Sequence, residues 1–209
     1  MNSIDSLIKH FPNLTDYQKE QFSSLENLYN IWNAKINVIS RKDTENFQER
    51  HLMHSLAIAK VINFVDKTKI MDIGTGGGFP GIPLSIIFPN CNFFLVDSIG
   101  KKIKVVKEVI NELELKNITA THNRAEKINE KFDFIVSRAV TQMPKFIAWT
   151  KGKFLKENKN KLENGILYLK GGDLKEEMAS IKKEVQYFNI NKFYSEQFFE
   201  TKKVVYIKN

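Results

Sequence analysis

The sequence concentrates its chemistry in one stretch, Asp72-Ile73-Gly74-Thr75-Gly76-Gly77-Gly78-Phe79-Pro80-Gly81. Three glycines alternate as G-x-G-x-G between an apolar run and a helix-sized segment, the context in which such a loop cradles a nucleotide-like ligand. Glycine lets the chain turn sharply and lets a ligand approach main-chain atoms that a Cβ would screen. Asp97 follows Gly74 by 23 residues (97 − 74) and ends the next apolar run. A carboxylate there can accept hydrogen bonds from both ribose hydroxyls of an adenosine, and it would repel a 2′-phosphate. NAD presents a pyrophosphate to a helix N-terminus. S-adenosylmethionine has no phosphate and carries a sulfonium and an ammonium group, which suits Asp72 just before the first glycine. The D-x-G-x-G spacing is that of the methyltransferase version of the loop. No Lys-Ser or Lys-Thr follows the glycines, which excludes a P-loop.

Elements of regular period must position these residues. KIMDIG from Lys69 and FFLVDS (Phe93–Ser98) are apolar runs ending in an acid, and Phe79 to Phe88 between them has helix length. Its prolines, Pro80 and Pro83, fit only a first turn. Further units follow: a helix from Lys101 to Leu115, a strand Ile118 to His122, a strand Phe132–Ser137, a helix Met143 to Leu155 and a strand Gly165–Lys170. A helix is expected from Asp173 to Tyr187, capped by Asp173. Strands alternating with helices imply βαβ units and a parallel sheet. Phe193–Phe198 and Lys203–Ile207 are too close for a crossover and predict an antiparallel hairpin. Upstream, Leu14, Phe22, Leu25, Leu28, Tyr29 and Trp32 recur at three- and four-residue steps, and a second helical pattern runs from Phe47 to Phe64. The expected fold class is α/β, a Rossmann-like class I arrangement: a mostly parallel sheet, a C-terminal antiparallel hairpin and an N-terminal helical extension. The extension is expected over residues 1–68, packed on a cofactor-binding core over 69–209.

Composition narrows the class. A hydrophobic share of 42% and a charged share of 27% belong to a globular chain rather than a disordered one. Cys91 is the single cysteine, so no internal disulfide is possible. The most apolar stretch, Gly76 to Val96, is broken by three prolines and two asparagines and reads as helix plus strand, not a membrane span. A soluble cytoplasmic protein is expected. Of the formal +8, +6 falls within residues 139–209, where 14 lysines face 8 acids. Its densest cluster is Lys151, Lys153, Lys156, Lys159 and Lys161. Such a field attracts polyanions such as RNA, although a merely solvated lysine face has the same composition.

GTGGGFPGIPL (Gly74–Leu84), VDSIGKK (Val96–Lys102), NRAE (Asn123–Glu126) and SRAV (Ser137–Val140) occur in that order. WNAKINVIS (Trp32–Ser40) and HLMHSL (His51–Leu56) precede them, and LKGG (Leu169–Gly172) follows. Together they resemble the glucose-inhibited division protein B family, the small-subunit ribosomal RNA guanine-7 methyltransferases, over roughly residues 28–178. The family's loop more often reads Ser/Ala-Gly-Ala-Gly where this chain has Thr75-Gly76-Gly77-Gly78. The resemblance implies S-adenosylmethionine as cofactor and small-subunit ribosomal RNA, or a ribosomal particle, as partner. It also implies cofactor contacts from Gly74, Phe79, Ala125, Glu126 and Arg138. With the loop and acid already singled out, the cofactor set is Asp72, Gly74, Gly76, Gly78, Phe79, Asp97, Ala125, Glu126 and Arg138.

Nitrogen 7 of guanine carries an in-plane lone pair and no proton, so no general acid or base is expected. Arg138 is the positioning candidate, facing either the cofactor carboxylate or an RNA phosphate. Lys101, Lys102, Arg124 and Lys170 each follow a strand and are the candidate RNA contacts, with Arg41 and Arg50 covering one side of the cleft. His51 and His54 sit three apart with no cysteine nearby, so no metal site is expected, and His54 is expected to pack against or cap the loop region. Nothing in the sequence demands an obligate dimer. Two alternatives are an NAD-dependent oxidoreductase, which would need a second domain for hydride transfer, and a non-catalytic RNA-binding module. The latter fits poorly with an intact Asp72, Gly74, Gly76, Gly78 and Asp97.

Overall fold

The computed structural model describes residues 3–36, 38 and 46–209, so Arg41 and part of the WNAKINVIS motif lie outside the described residues. Seven strands form one sheet in the order β3-β2-β1-β4-β5-β7-β6. The parallel set is β1 (Lys69–Ile73), β2 (Asn92–Asp97), β3 (Ile118–His122), β4 (Phe134–Arg138) and β5 (Gly165–Gly171). β7 (Lys202–Lys208) runs antiparallel between β5 and β6 (Val185–Asn189). Helices α4 (Gly81–Ile87), α5 (Gly100–Glu112) and α6 (Met143–Thr150) follow β1, β2 and β4. Both faces of the sheet are covered, which is why its strands read as continuous apolar runs. Along β1, Ile70 joins one core cluster while Met71 and Ile73 join the other.

The order reverses between β1 and β4, and the crevice outside the carboxyl ends of strands at such a switch point is where ligands of α/β sheets bind. Asp72, Asp97 and Arg138 all stand at or next to the carboxyl end of a strand, and Asp97 pairs in register with His122.

The N-terminal segment is helical, with α1 (Ser3–His10) and α2 (Asp16–Lys35). Thr15 and Gln18 form a capping box that satisfies the first free amides of α2. Gln21, Phe22, Leu25 and Tyr29 face inward at helical spacing. Gln18 and Gln21 donate to the carbonyls of Ile86 and Leu113, tying α2 to α4 and to the end of α5. Burying a side chain such as Leu25 stabilises by about 1.5–3 kcal/mol. The second helical pattern resolves into a π turn, Gln48–Met53, running into α3 (His54–Val61).

Three expectations are corrected. The helix expected over Asp173–Tyr187 is only one turn, α7 (Lys175–Met178), because the chain turns at Ala179–Lys183 and enters β6. The helix from Met143 stops at Thr150, where Gly152 takes a positive φ of 76°. The hairpin's first strand is Val185–Asn189, not Phe193–Phe198. Residues 190–199 instead form two 3-10 turns that bury Ile190, Tyr194 and Phe199 against the core. The aromatic residues of this segment, Tyr194 and Phe199 among them, satisfy their burial in a packed connection rather than in a strand.

The lysine-rich segment is in part structural. Lys153 is buried and donates to the carbonyl of Ile128, and Lys159 pairs with buried Asp133 at 3.2 Å. Asn160 accepts from the Val65 amide at 2.9 Å. The Lys159 and Asn160 contacts close the chain beside the residues that lead into β1 and β4, whereas Lys153 reaches the carbonyls of Ile128 and of cleft-lining Glu126. Among the described residues no helix is long and apolar enough to cross a membrane.

Candidate active-site cleft

The cleft is built first by the loop after β1. The amides of Gly74 and Thr75 both donate to the Val96 carbonyl, at 2.8 and 3.1 Å, which ties the loop to β2. Thr75 also closes the turn with its carbonyl, which accepts from the amides of Gly78 and Phe79. Beneath it lies Asp72, fully buried, whose Oδ2 accepts from the Thr75 hydroxyl at 2.6 Å and the Gly81 amide at 2.9 Å. Burial pushes the Asp72 carboxyl up to about 7, against the opposing pull of Thr75, Gly81 and Arg138. Its Oδ1 has no hydrogen-bond partner among the described residues. Asp72 therefore buttresses the loop from below and does not line the cleft.

Above the loop the cleft encloses about 420 Å³, within the span of roughly 300–1,000 Å³ typical of small-ligand sites. Gly74, Gly76, Phe79, Asp97, Lys102, Arg124, Ala125, Glu126 and Arg138 all line it. Gly76 has a φ of 59°, and a Cβ there would meet no protein atom closer than 4.0 Å, so its open face is the cleft itself. Gly74 differs, for a Cβ on it would strike both methyls of Val140. Gly78 faces inward to Ile82 and the Tyr29 hydroxyl and is absent from the cleft lining.

Asp97 accepts from the Gly76 amide at 2.9 Å and the Ile99 amide at 2.8 Å, one bond to each oxygen. A carboxylate has about four acceptor positions, so two remain for a ligand's hydroxyls. An open-faced glycine beside a carboxylate with spare acceptor capacity fits the ribose of an adenosine. Ala125, buried in a 3-10 turn, and exposed Glu126 stand beyond β3, with Trp149 of α6 completing that end.

Arg138 is half-buried and held from the N-terminal side. Its Nη1 donates to the Arg50 carbonyl at 2.6 Å, and Nη2 stands 2.7 Å from His51 Nδ1. A guanidinium has only donors, so that Nδ1 accepts. The π turn thus supplies both groups. The guanidinium also lies over the Phe79 ring at 5.2 Å. Phe79 is itself packed by Tyr29 at 4.9 Å and His51 at 5.0 Å.

The cation set divides. Lys102 and Arg124 line the cleft and Lys101 is exposed beside it. Lys170 points elsewhere: it pairs with Glu177 at 2.8 Å, donates to the Thr141 carbonyl at 2.7 Å, and its side chain is 11% exposed. His54 packs edge-on against Phe198 and Phe199 of the C-terminal connection, and burial, then Arg138, Lys202 and His51, hold its pKa well below the usual value. Among the described residues no cluster of His, Cys, Asp or Glu could hold a metal.

Sequence reasoning did not single out Tyr29, His51, Trp149 or Tyr168 as parts of the site. Tyr29 donates its hydroxyl to the Gly77 carbonyl, yet in the sequence it is one more member of an apolar stripe. His51 was visible within HLMHSL, but only the fold shows Arg138 against it.

A family model described as rRNA small subunit methyltransferase G, GidB, matches residues 18–205. The protein named ribosomal RNA small subunit methyltransferase G in Flavobacterium johnsoniae is 55% identical over 204 residues, 98% of this chain and 97% of that one. Its namesake in Flavobacterium psychrophilum is 57% identical over the same shares. Among solved structures, a SAM dependent methyltransferase from Aquifex aeolicus superposes with a TM-score of 0.57 at 16% identity, covering 76% of this chain and 91% of that one. Precorrin-6y C5,15-methyltransferase from Geobacter metallireducens gives 0.55 at 12% identity, covering 75% and 87%. At such identities the likeness is one of fold.

Proposed function

The chain belongs to the rRNA small subunit methyltransferase G (GidB) family, and from that premise we propose that it methylates a guanine of small-subunit ribosomal RNA at ring nitrogen 7, in the cytoplasm, using S-adenosylmethionine. The observation that carries the cofactor side is Asp97, tied by the Gly76 amide beneath a glycine whose open face is the cleft. In this reading Gly74, Gly76 and Asp97 hold the ribose, and Ala125 and Glu126 flank the adenine. Asp72 and Gly78 serve by shaping the loop. Phe79 serves by bracing Arg138, whose guanidinium pairs with the cofactor carboxylate.

When bound, the cofactor supplies an electrophilic methyl group. The protein's own residues then have two tasks, alignment and exclusion of water. Guanine nitrogen 7 brings its own lone pair and no proton, so no residue needs to move one, and the rate comes from holding the two partners in line. Lys101, Lys102 and Arg124 sit where they can neutralise RNA phosphates at the rim. In A-form RNA nitrogen 7 faces the deep, narrow groove, so the target is a base in a loop or bulge.

The test is transfer of labelled methyl from S-adenosylmethionine to small-subunit particles lacking the modification, followed by nucleoside analysis. Label in 7-methylguanosine is expected. Label in another nucleoside would overturn the nitrogen 7 assignment, and absence of cofactor binding would overturn the whole reading.

A further inference from the structure

Four residues after Arg138 have no strand or helix to hold them, yet the first two form a wall of the cleft. Ala139 and Val140 both line it, and Ala139 has a φ of 53°, a left-handed conformation that costs energy for a residue with a Cβ. Something must hold this backbone in place. Tyr168, fully buried in β5, does so with one hydroxyl. It accepts from the amides of Val140 at 3.0 Å and Thr141 at 2.9 Å, and donates to the Thr141 carbonyl at 2.8 Å. Lys170, two residues along β5, donates to the same carbonyl at 2.7 Å. Glu177 of α7 pairs with Lys170 at 2.8 Å and accepts from the Met143 amide at 2.5 Å, where α6 begins. The Lys170 and Glu177 side chains are 11% and 17% exposed.

We propose that Tyr168, Lys170 and Glu177 form a positioning apparatus that fixes the backbone of residues 139–141 as the wall against which the acceptor base is aligned, with Lys170 acting on the loop and not on an RNA phosphate. This rests on the reading of the cleft given above. If Asp97 and Ala125 hold the nucleoside, the end formed by Ala139, Val140 and the N-terminal His51 is left for the acceptor. Val140 packs on Gly74, so a shift of the wall displaces the acceptor relative to the donor. A misplacement of an ångström at such a site lowers the rate by about a hundredfold. The ion pair also accounts for LKGG: Lys170 supplies the donor, and the chain then turns away through Gly171 and positive-φ Gly172 toward α7.

The test compares wild type with Lys170→Met, Lys170→Arg and Glu177→Gln. Methyl transfer to small-subunit particles gives kcat and KM, calorimetry gives the cofactor Kd, and RNA binding is measured across salt concentrations. Lys170→Met is expected to lower kcat at least tenfold while leaving the cofactor Kd within twofold and the salt slope unchanged. Lys170→Arg, which keeps donors for the Thr141 carbonyl, is expected to recover most of the rate. Glu177→Gln retains an acceptor for the Met143 amide and carries the same test if Lys170→Met does not fold, with a smaller loss in kcat. An unchanged kcat in Lys170→Met, or in Glu177→Gln where Lys170→Met does not fold, overturns the proposal. So does a salt slope reduced by about one, the mark of a lost phosphate contact. Wild-type protein that transfers no methyl to RNA overturns the proposed function and this reading with it. An active wild type with an equally active Lys170→Met overturns this reading alone.

Discussion

Asp72→Asn removes the one buried carboxylate under the glycine loop while keeping its shape. The amide oxygen can take the place of Oδ2, accepting from the Thr75 hydroxyl and the Gly81 amide, and the amide nitrogen falls where Oδ1 has no partner. In the wild type the folded carboxyl is pushed up to about 7, chiefly by burial, against about 3.9 in an unfolded chain. The folded state then holds the proton more tightly than the unfolded one. Its contribution is fully favourable below pH about 4 and is progressively lost as the pH rises to about 7. At about 1.4 kcal/mol per unit, full ionisation costs the fold about 4 kcal/mol, and the part that falls between pH 5.5 and 8 is about 2 kcal/mol. Asparagine does not titrate. It carries a constant cost of about 1–3 kcal/mol for a buried amide without a partner. The stability of Asp72→Asn relative to wild type should therefore rise by about 2 kcal/mol from pH 5.5 to pH 8. For a chain of this length that is a relative gain of roughly 4–8 °C in Tm. Urea or thermal unfolding of both proteins at fixed ionic strength measures it, because the difference cancels all other titrating groups. A difference that stays constant within about 0.5 kcal/mol across that range would show that Asp72 titrates alike in both states, and would refute the reasoning.

Other substitutions separate the parts of the cleft. Gly76→Ala places a methyl in open space at a positive φ, costing about 1–2 kcal/mol of stability while weakening cofactor affinity at least tenfold by calorimetry; unchanged affinity would remove Gly76 from the ribose site. Gly74→Ala drives a methyl into Val140 and should lower Tm by more than Gly76→Ala does; the opposite ranking would contradict the packing described. Lys101→Ala with Lys102→Ala should weaken RNA binding and lower the slope of log affinity against log salt by about one to two; a slope equal to wild type would take both lysines off the RNA face. Tyr29→Phe strands the buried Gly77 carbonyl, with an expected loss of about 1–3 kcal/mol and a raised KM for the cofactor; an unchanged KM would mean that α2 supports the fold but not the loop.

Much of the core was legible because its strands carry two signals at once. The apolar run ending in an acid located β1 with Asp72 and β2 with Asp97, and Ile118–His122 matched β3 at both ends. β6 was hidden because an edge strand buries little: none of Val185–Asn189 is fully buried, and Tyr187 is exposed, while Phe193–Phe198 after it has at least as many aromatic residues. The site was legible in its glycines and acids, whose local spacing fixes their geometry. It was not legible where a side chain acts across long separations. Tyr29 reaches Gly77 over 48 positions and Tyr168 reaches Thr141 over 27. Periodicity reports that such a tyrosine is buried, not which carbonyl its hydroxyl meets. Lys170 shows the same limit, since a cation after a strand looks free until α7 brings Glu177 to it.

The place of β7 sets an order of assembly. It comes after β6 in the chain yet lies inside the sheet, pairing with β5 along Gly165–Gly171 and with β6 along Val185–Asn189. While a ribosome is still synthesising the chain, β5 therefore presents a bare edge until Lys202–Lys208 have cleared the exit tunnel, and β6 has no partner to join. The nascent protein can complete the first strands and the cofactor loop early, but the strand that carries Tyr168 and Lys170 is locked on its second side only once β7 has emerged. An exposed edge of that kind is a template for pairing with other chains, so the interval before β7 inserts is the period of greatest exposure to aggregation, and chains truncated before Lys202 would remain in it.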